Sequence, residues 1–280
     1  MSAFSADWLK LREPVDLRSR NAALGQSLRA VFATHARVRV IDLGCGTGAN
    51  LRATAPLLGS GSTQDWLLVD HDPALLTRAA IELAAWADTA TSRGQDLILE
   101  KSGTTIHTRF RQADLLHELD TILDAGADLV TASAFFDLAS PAFVGAVATA
   151  TARANAAFYA VLTFNGALGS TPAHAMDDQI HNAFNIHQHT DKGFGAAAGA
   201  TAPDTLARAF EAQSYRVTTG DSPWKVTPAD GDLAQQLIDG IASAALETAR
   251  VNPPDIGAWR QRARGTVHVG HTDTLALPPG

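Results

Sequence analysis

Two hydrophobic periods alternate along the chain. Apolar, mostly unbroken runs at 38–43, 66–69, 128–132 and 157–164 predict buried strands. Between them, apolar residues recur at helical spacing. Ala23, Leu24, Leu28, Val31 and Phe32 predict a helix over about 19–36, and Leu75, Leu76, Ala79, Leu83 and Trp86 predict another after Asp72-Pro73. Ser140-Pro141 opens a helix to about 152, and Thr201-Ala202-Pro203-Asp204 opens one to about 214. Leu97-Ile98-Leu99-Glu100 and 104–110 flank Lys101-Ser102-Gly103 as a hairpin, after a loop at 91–94. Further strands are expected at 215–219 and 266–277, with a helix over 233–249 and a short one around Trp259. Residues 1–18 predict a short helix or extended arm interrupted by Pro14.

Strands alternating with helices predict an α/β fold, a doubly wound and mostly parallel sheet with crossover helices. The period is lost over 166–200, which is rich in His, Asn, Gln, Asp and Gly. That stretch predicts an irregular lid folded over the carboxyl edge of the sheet. The expected organisation is one domain over 1–280, with a helical N-terminal segment at 1–36 and the lid at 166–200.

Composition narrows the function. With 280 residues, 46% hydrophobic and 18% charged, the chain supports a sizeable core. A formal net charge of -7 disfavours nucleic acid and anionic membrane as partners. A single cysteine excludes a disulfide framework, and no apolar run approaches membrane-spanning length, so a soluble cytoplasmic protein is expected. The sequence leaves the oligomeric state open.

The chemistry centres on Asp42-Leu43-Gly44-Cys45-Gly46-Thr47-Gly48, where a strand breaks into glycines at alternate positions before a helix. Missing Cβ atoms let a ligand lie against the backbone at the positive end of a helix. As G-x-G-x-x-A, residues 44–49 could seat a dinucleotide, with Asp70 on a ribose. Asp42 counts against that, since a carboxylate before the turn repels a pyrophosphate. Asp114 adds a third acid at the same sheet edge.

Together, Asp42-Leu43-Gly44-Cys45-Gly46-Thr47-Gly48, Val69-Asp70-His71-Asp72-Pro73 and Ala113-Asp114-Leu115 resemble the three motifs of class I S-adenosylmethionine-dependent methyltransferases. The resemblance covers roughly 20–165. It implies a seven-stranded Rossmann-like sheet with the final strand antiparallel, and S-adenosylmethionine as cofactor. By position, Gly44, Gly46 and Gly48 would approach its methionine part and Asp42 would orient its ammonium. Asp70 would accept the ribose hydroxyls, His71 would lie beside the adenine and Asp114 would accept from the adenine amine. Cys45, Leu115 and Ser133 complete the implied cofactor set. Cys45 is either a nucleophile or the small residue the turn requires.

The resemblance places Ser133-Ala134-Phe135-Phe136-Asp137 beside the transferred methyl. The D/N-P-P-Y/F sequence of nucleic-acid amino-methyltransferases is absent there, which points to a small-molecule acceptor. Asp137 is a candidate base, substrate anchor or cap. In the polar stretch, His187 and His189 are candidate catalytic groups. His187-Gln188-His189 has spacing compatible with a metal, but no third ligand is fixed, and no metal is expected. Arg12, Arg18 and Arg20 could meet the cofactor carboxylate or an acidic substrate, or form a solvated segment. The expected activity is methyl transfer to a small-molecule oxygen or nitrogen. The alternatives are an NAD(P)-dependent oxidoreductase and a catalytically inactive methyltransferase-like binding protein.

Overall fold

The computed structural model describes residues 5–59, 61–94, 96–262 and 265–279. Helices α1 (Ala6–Ser19) and α2 (Ala22–Phe32) precede strand β1 (Arg37–Leu43). After the glycine turn come α3 (Ala49–Thr54), β2 (Thr63–Asp70), α4 (Pro73–Trp86) and the strands β3 (Thr89–Arg93), β4 (Asp96–Lys101) and β5 (Thr104–Gln112). Next are α5 (Leu115–Leu123), β6 (Leu129–Ser133), α6 (Pro141–Arg153), β7 (Ala157–Thr171) and α7 (Asp177–Gln188). The chain finishes with α8 (Ala202–Glu211), β8 (Arg216–Asp221), β9 (Trp224–Val226), α9 (Asp232–Glu247), α10 (Pro253–Arg262) and β10 (Thr266–Leu277).

The strands form one sheet in the order β3-β4-β5-β2-β1-β6-β7-β10-β8, with β9 paired to β10. Strands β5, β2, β1, β6 and β7 run parallel, and β10 lies antiparallel between β7 and β8. The expected seven strands are present as β5-β2-β1-β6-β7-β10-β8, extended by β3 and β4 at one edge and by β9.

Side chains alternate across each strand and feed two cores. Val38 and Val40 of β1 face the core built with α2, α4, α7, α9 and α10. Ile41 and Leu43 face the core built with α5, α6 and α8. Local signals fix the helix starts. Asn21, Asp72, Asp114 and Ser140 each accept a backbone N–H as N-cap, and Pro73 and Pro141 occupy the first turn.

Four expectations need correction. Residues 6–19 form one regular helix despite the internal Pro14. An interior proline costs roughly 3 kcal/mol. Tertiary anchoring outweighs it: Val15 is buried, Trp224 Nε1 donates to Asp16 Oδ1 at 2.9 Å, and Arg18 donates to Asp230 at 2.8 Å. The supposed loop at 91–94 lies mostly in β3, an edge strand whose residues are all exposed and leave no hydrophobic alternation to detect. Strand β7 continues to Thr171, because Thr266 to Val269 of β10 pair with its outer half. Finally, 166–200 is not irregular throughout. Its middle is α7, whose Ile180 and Ala183 are buried against the α9 side of the core, and the loop-like parts are 172–176 before it and the turn after it.

No helix among the described residues is long and apolar enough to cross a membrane.

Candidate active site

The carboxyl ends of β1, β2, β5 and β6 open into a cavity of about 330 Å³, roofed by α1 and by the turn following α7. Its floor is the glycine turn. Gly44, Gly46 and Gly48 all have positive φ, at 65°, 53° and 77°. A Cβ on Gly44 would stand 2.7 Å from Phe135 Cδ2, so the turn and the loop after β6 pack without room for a methyl.

Asp70 at the end of β2 holds that turn in place. Its Oδ2 accepts the Gly46 N–H at 2.9 Å and its Oδ1 accepts the Asp72 N–H at 3.0 Å. Each oxygen retains a lone pair for a ligand hydroxyl. His71 lies beside it, with Nδ1 3.3 Å from Asp70 Oδ1, and both residues line the cavity. Asp114 caps α5 by accepting the Leu116 N–H at 2.9 Å, and it lines the same wall with Leu115. Ser133 at the end of β6 and Cys45 in the turn also reach the cavity. Burial pushes the Cys45 thiol well up, the wrong direction for a nucleophile, so Cys45 serves as the small residue of the turn.

Asp42 lies beneath the turn, fully buried. Burial raises it to about 7, against the pull of the Asn50 amide and the Arg20 charge. Asn50 Nδ2 donates to Asp42 Oδ1 at 2.8 Å, while Oδ2 has no hydrogen-bond partner. Arg20 supports the arrangement from behind, donating to Asn50 Oδ1 at 2.9 Å and Thr54 Oγ1 at 3.0 Å. A buried, half-satisfied carboxylate under a glycine cradle suits a cationic ligand and opposes an anionic one. The turn and Asp42 therefore fit the cationic amino-acid end of S-adenosylmethionine, and Asp70 and Asp114 stand further along the cavity wall.

The opposite wall comes from segments distant in sequence. Leu9, Arg12 and Asp16 face the cavity from α1, and Lys192, Gly193 and Phe194 face it from the turn after α7. Arg12 is clamped by Asp16, with Nε donating to Oδ2 at 2.8 Å and Nη2 to Oδ1 at 3.3 Å, and it stacks 5.0 Å from the Trp224 ring. Arg18 instead pairs with Asp230, away from the site. The turn is shaped by Asp191, whose Oδ1 accepts the N–H groups of Gly193 and Gly195 at 2.7 and 3.0 Å. The Phe194 ring then packs edge-on to Phe135, 5.4 Å between centroids. Sequence reasoning passed over Leu9, Asp16, Leu138 and Phe194. The Arg12/Asp16 pair at i,i+4 was the one local signal available.

The candidate catalytic groups stand outside the cavity lining, as do Asp42 and Gly48 of the implied cofactor set. Asp137, His187 and His189 do not line the cavity among the described residues. Asp137 is pushed up to about 6, chiefly by burial, and its Oδ1 has no partner. Its carbonyl accepts the Gly199 N–H at 3.0 Å, tying the loop after β6 to the roof segment. His189 Nδ1 lies 3.2 Å from the Ala197 carbonyl, and His187 Nε2 lies 2.9 Å from Glu247 Oε2. No group of three or more His, Cys, Asp or Glu among the described residues could hold a metal ion, so the HxH stretch gathers no third ligand.

No protein-family profile matches this sequence, and neither does any curated protein. Solved structures do match. A cyclopropane-fatty-acyl-phospholipid synthase-like protein from Lactobacillus casei is 17% identical, with a TM-score of 0.51 over 96% of this chain and 99% of that one. The cyclopropane synthase MmaA2 of Mycobacterium tuberculosis is 10% identical, with a TM-score of 0.46 over 91% and 83%. A precorrin-6y C5,15-methyltransferase from Geobacter metallireducens is 10% identical, with a TM-score of 0.45 over 92% and 87%. The fold is the Rossmann-like fold of class I S-adenosylmethionine-dependent methyltransferases.

Proposed function

We propose that this protein transfers a methyl group from S-adenosylmethionine to an oxygen or nitrogen of a small-molecule acceptor. One observation carries the reading. The carboxyl edges of three adjacent parallel strands, β1, β2 and β5, carry Asp42, Asp70 and Asp114: Asp70 and Asp114 line a glycine-floored cavity, and Asp42 is buried beneath its glycine turn. Ligands of open α/β sheets bind at that edge. A buried carboxylate beneath the turn favours a positive ligand end above it, and so this cofactor over a nicotinamide dinucleotide.

When bound, S-adenosylmethionine supplies an activated methyl on sulfur. The protein's part is to position the acceptor and exclude water. Phe135, Leu138 and Phe194 supply an apolar surround on the acceptor side, and α1 closes the cavity from above. Asp137, His187 and His189 act here as positioning residues, fixing the loop after β6 and the roof turn that carries Lys192 and Phe194. The acidic composition and a cavity of about 330 Å³ both suit a small acceptor.

Calorimetry with S-adenosylmethionine and S-adenosylhomocysteine tests the cofactor half, and absence of binding by both defeats it. A methyl-transfer screen against metabolite pools with mass detection tests the rest. Cofactor binding with no labelled product across a broad panel would instead make this a binding protein.

A further inference from the structure

Most of the charges lining the cavity are sorted by position. The end beside β2 and β5 carries Asp70, Asp72 and Asp114. The cavity's two cations, Arg12 and Lys192, both lie at the other end, on α1 and on the roof turn, with Asp16 beside Arg12 as its ion-pair partner. The surfaces between those cations are apolar: Leu9, Phe135, Leu138 and Phe194.

Each cation keeps at least one N–H free for a ligand. Lys192 makes no ion pair among the described residues. Its Nζ stands 3.3 Å from His187 Nδ1, and His187 Nε2 stands 2.9 Å from Glu247 Oε2. The carboxylate fixes the ring proton on Nε2, which leaves Nδ1 to accept one ammonium N–H and frees the other two. Burial lowers Lys192, the direction expected of an ammonium partly stripped of water. Arg12 commits Nε and Nη2 to Asp16, while its Nη1 has no protein partner among the described residues. Asp16 is itself fixed by the Trp224 indole at 2.9 Å, so the guanidinium is held rather than floating. A cationic acceptor would meet repulsion here, and a neutral apolar one would leave the lysine unpaired.

We propose that the methyl acceptor is a small apolar molecule bearing an anionic group, carboxylate or phosphate, which Arg12 and Lys192 recognise together. This deepens the methyl-transfer reading and rests on it. His187 and Glu247 then orient Lys192, which gives the HxH stretch a positioning role without a metal.

The test is calorimetric titration of the S-adenosylhomocysteine-loaded protein with benzoate, phenyl phosphate and benzyl alcohol. At least one anion should bind tenfold or more tighter than the alcohol, and the better anion identifies the group. Lys192→Met should weaken that anion about tenfold and leave S-adenosylhomocysteine affinity within twofold, which also shows that the variant is folded. Lys192→Arg should restore most of the preference. Equal binding of all three probes overturns the proposal, as does an anion preference that survives Lys192→Met. A tenfold loss of S-adenosylhomocysteine affinity in Lys192→Met also overturns it, because the lysine would then serve the cofactor's own carboxylate. If wild-type protein binds no S-adenosylhomocysteine, the methyl-transfer reading fails first, an outcome distinct from intact cofactor binding without anion preference.

Discussion

The two walls of the cavity are built on opposite plans. The β1–β2–β5 wall is made of strand ends, so its functional groups emerge directly from the parallel sheet. Asp42, Asp70 and Asp114 are placed by strand geometry, and Asp70 spends its hydrogen bonds on the turn it adjoins. The α1 and roof wall is made of helix and turn, held by contacts that cross the chain. Asp16 reaches Trp224 across 208 residues, and Gly199 reaches the Asp137 carbonyl. A wall of the first kind suits the constant half of a reaction. A wall of the second kind can change its surface without disturbing the sheet.

If the walls are that separate, damage to one should spare the other. The largest effect is expected from Asp70→Ala. It removes a carboxylate acceptor and releases the Gly46 amide, which together should cost about 3 kcal/mol or more. S-adenosylhomocysteine affinity should fall at least hundredfold by calorimetry. Unchanged affinity would remove Asp70 from the cofactor wall.

Gly44→Ala probes the seam between the walls. A left-handed backbone at a residue with a Cβ costs about 1–2 kcal/mol, and this Cβ would press on the Phe135 ring. Phe135 touches Phe194 of the roof. Cofactor affinity should drop roughly tenfold, and acceptor KM should rise with it. A cofactor loss with acceptor KM untouched would show that the aromatic contact does not couple the walls.

The two plans also explain what the sequence disclosed. Asp42, the glycines, Asp70 and Asp114 were legible because each sits at a fixed offset from an apolar run. Helix α7 was not, because along its length the His, Asn and Gln residues outnumber the buried apolar pair Ile180 and Ala183. The outer half of β7 was hidden for a different reason: its pairing depends on β10, about a hundred residues later. Lys192 was visible only as one polar residue among many. Its place depends on backbone bonds to Asp191 that no periodicity encodes.

A smaller effect tests the charge logic of the cofactor wall. Asp42 in the free protein is raised to about 7, while in the unfolded chain a carboxylate titrates near 4. The folded state therefore holds its proton longer, and Asp42 should make stability fall as pH rises from about 4 to 7. A ligand ammonium favours the ionised form and pulls the value down. Binding of S-adenosylhomocysteine at pH 6 to 7 should thus release a fraction of a proton, seen as a dependence of the binding enthalpy on buffer ionisation. Asp42→Asn should abolish that dependence. Proton uptake, or none in the wild type, would mean that no positive group approaches Asp42.

The smallest effect is expected on the acceptor wall, from His189→Ala. The His189 ring lies in contact with Gly199, where an added Cβ would stand 2.9 Å from Nδ1, and that nitrogen lies 3.2 Å from the Ala197 carbonyl. Removing the ring forfeits one hydrogen bond worth about 1 kcal/mol and opens space beneath the roof segment. The roof remains fastened by Ala198 N–H to the Ala139 carbonyl at 2.8 Å and by the Gly199 bond to Asp137. Acceptor KM should therefore rise only a few-fold, with kcat and S-adenosylhomocysteine affinity nearly unchanged. A hundredfold fall in kcat at constant KM would instead mean that the imidazole handles a proton at the reacting centre. The histidine would then have to enter the cavity during turnover, which the roof contacts can allow only if the Ala197 carbonyl lets it go.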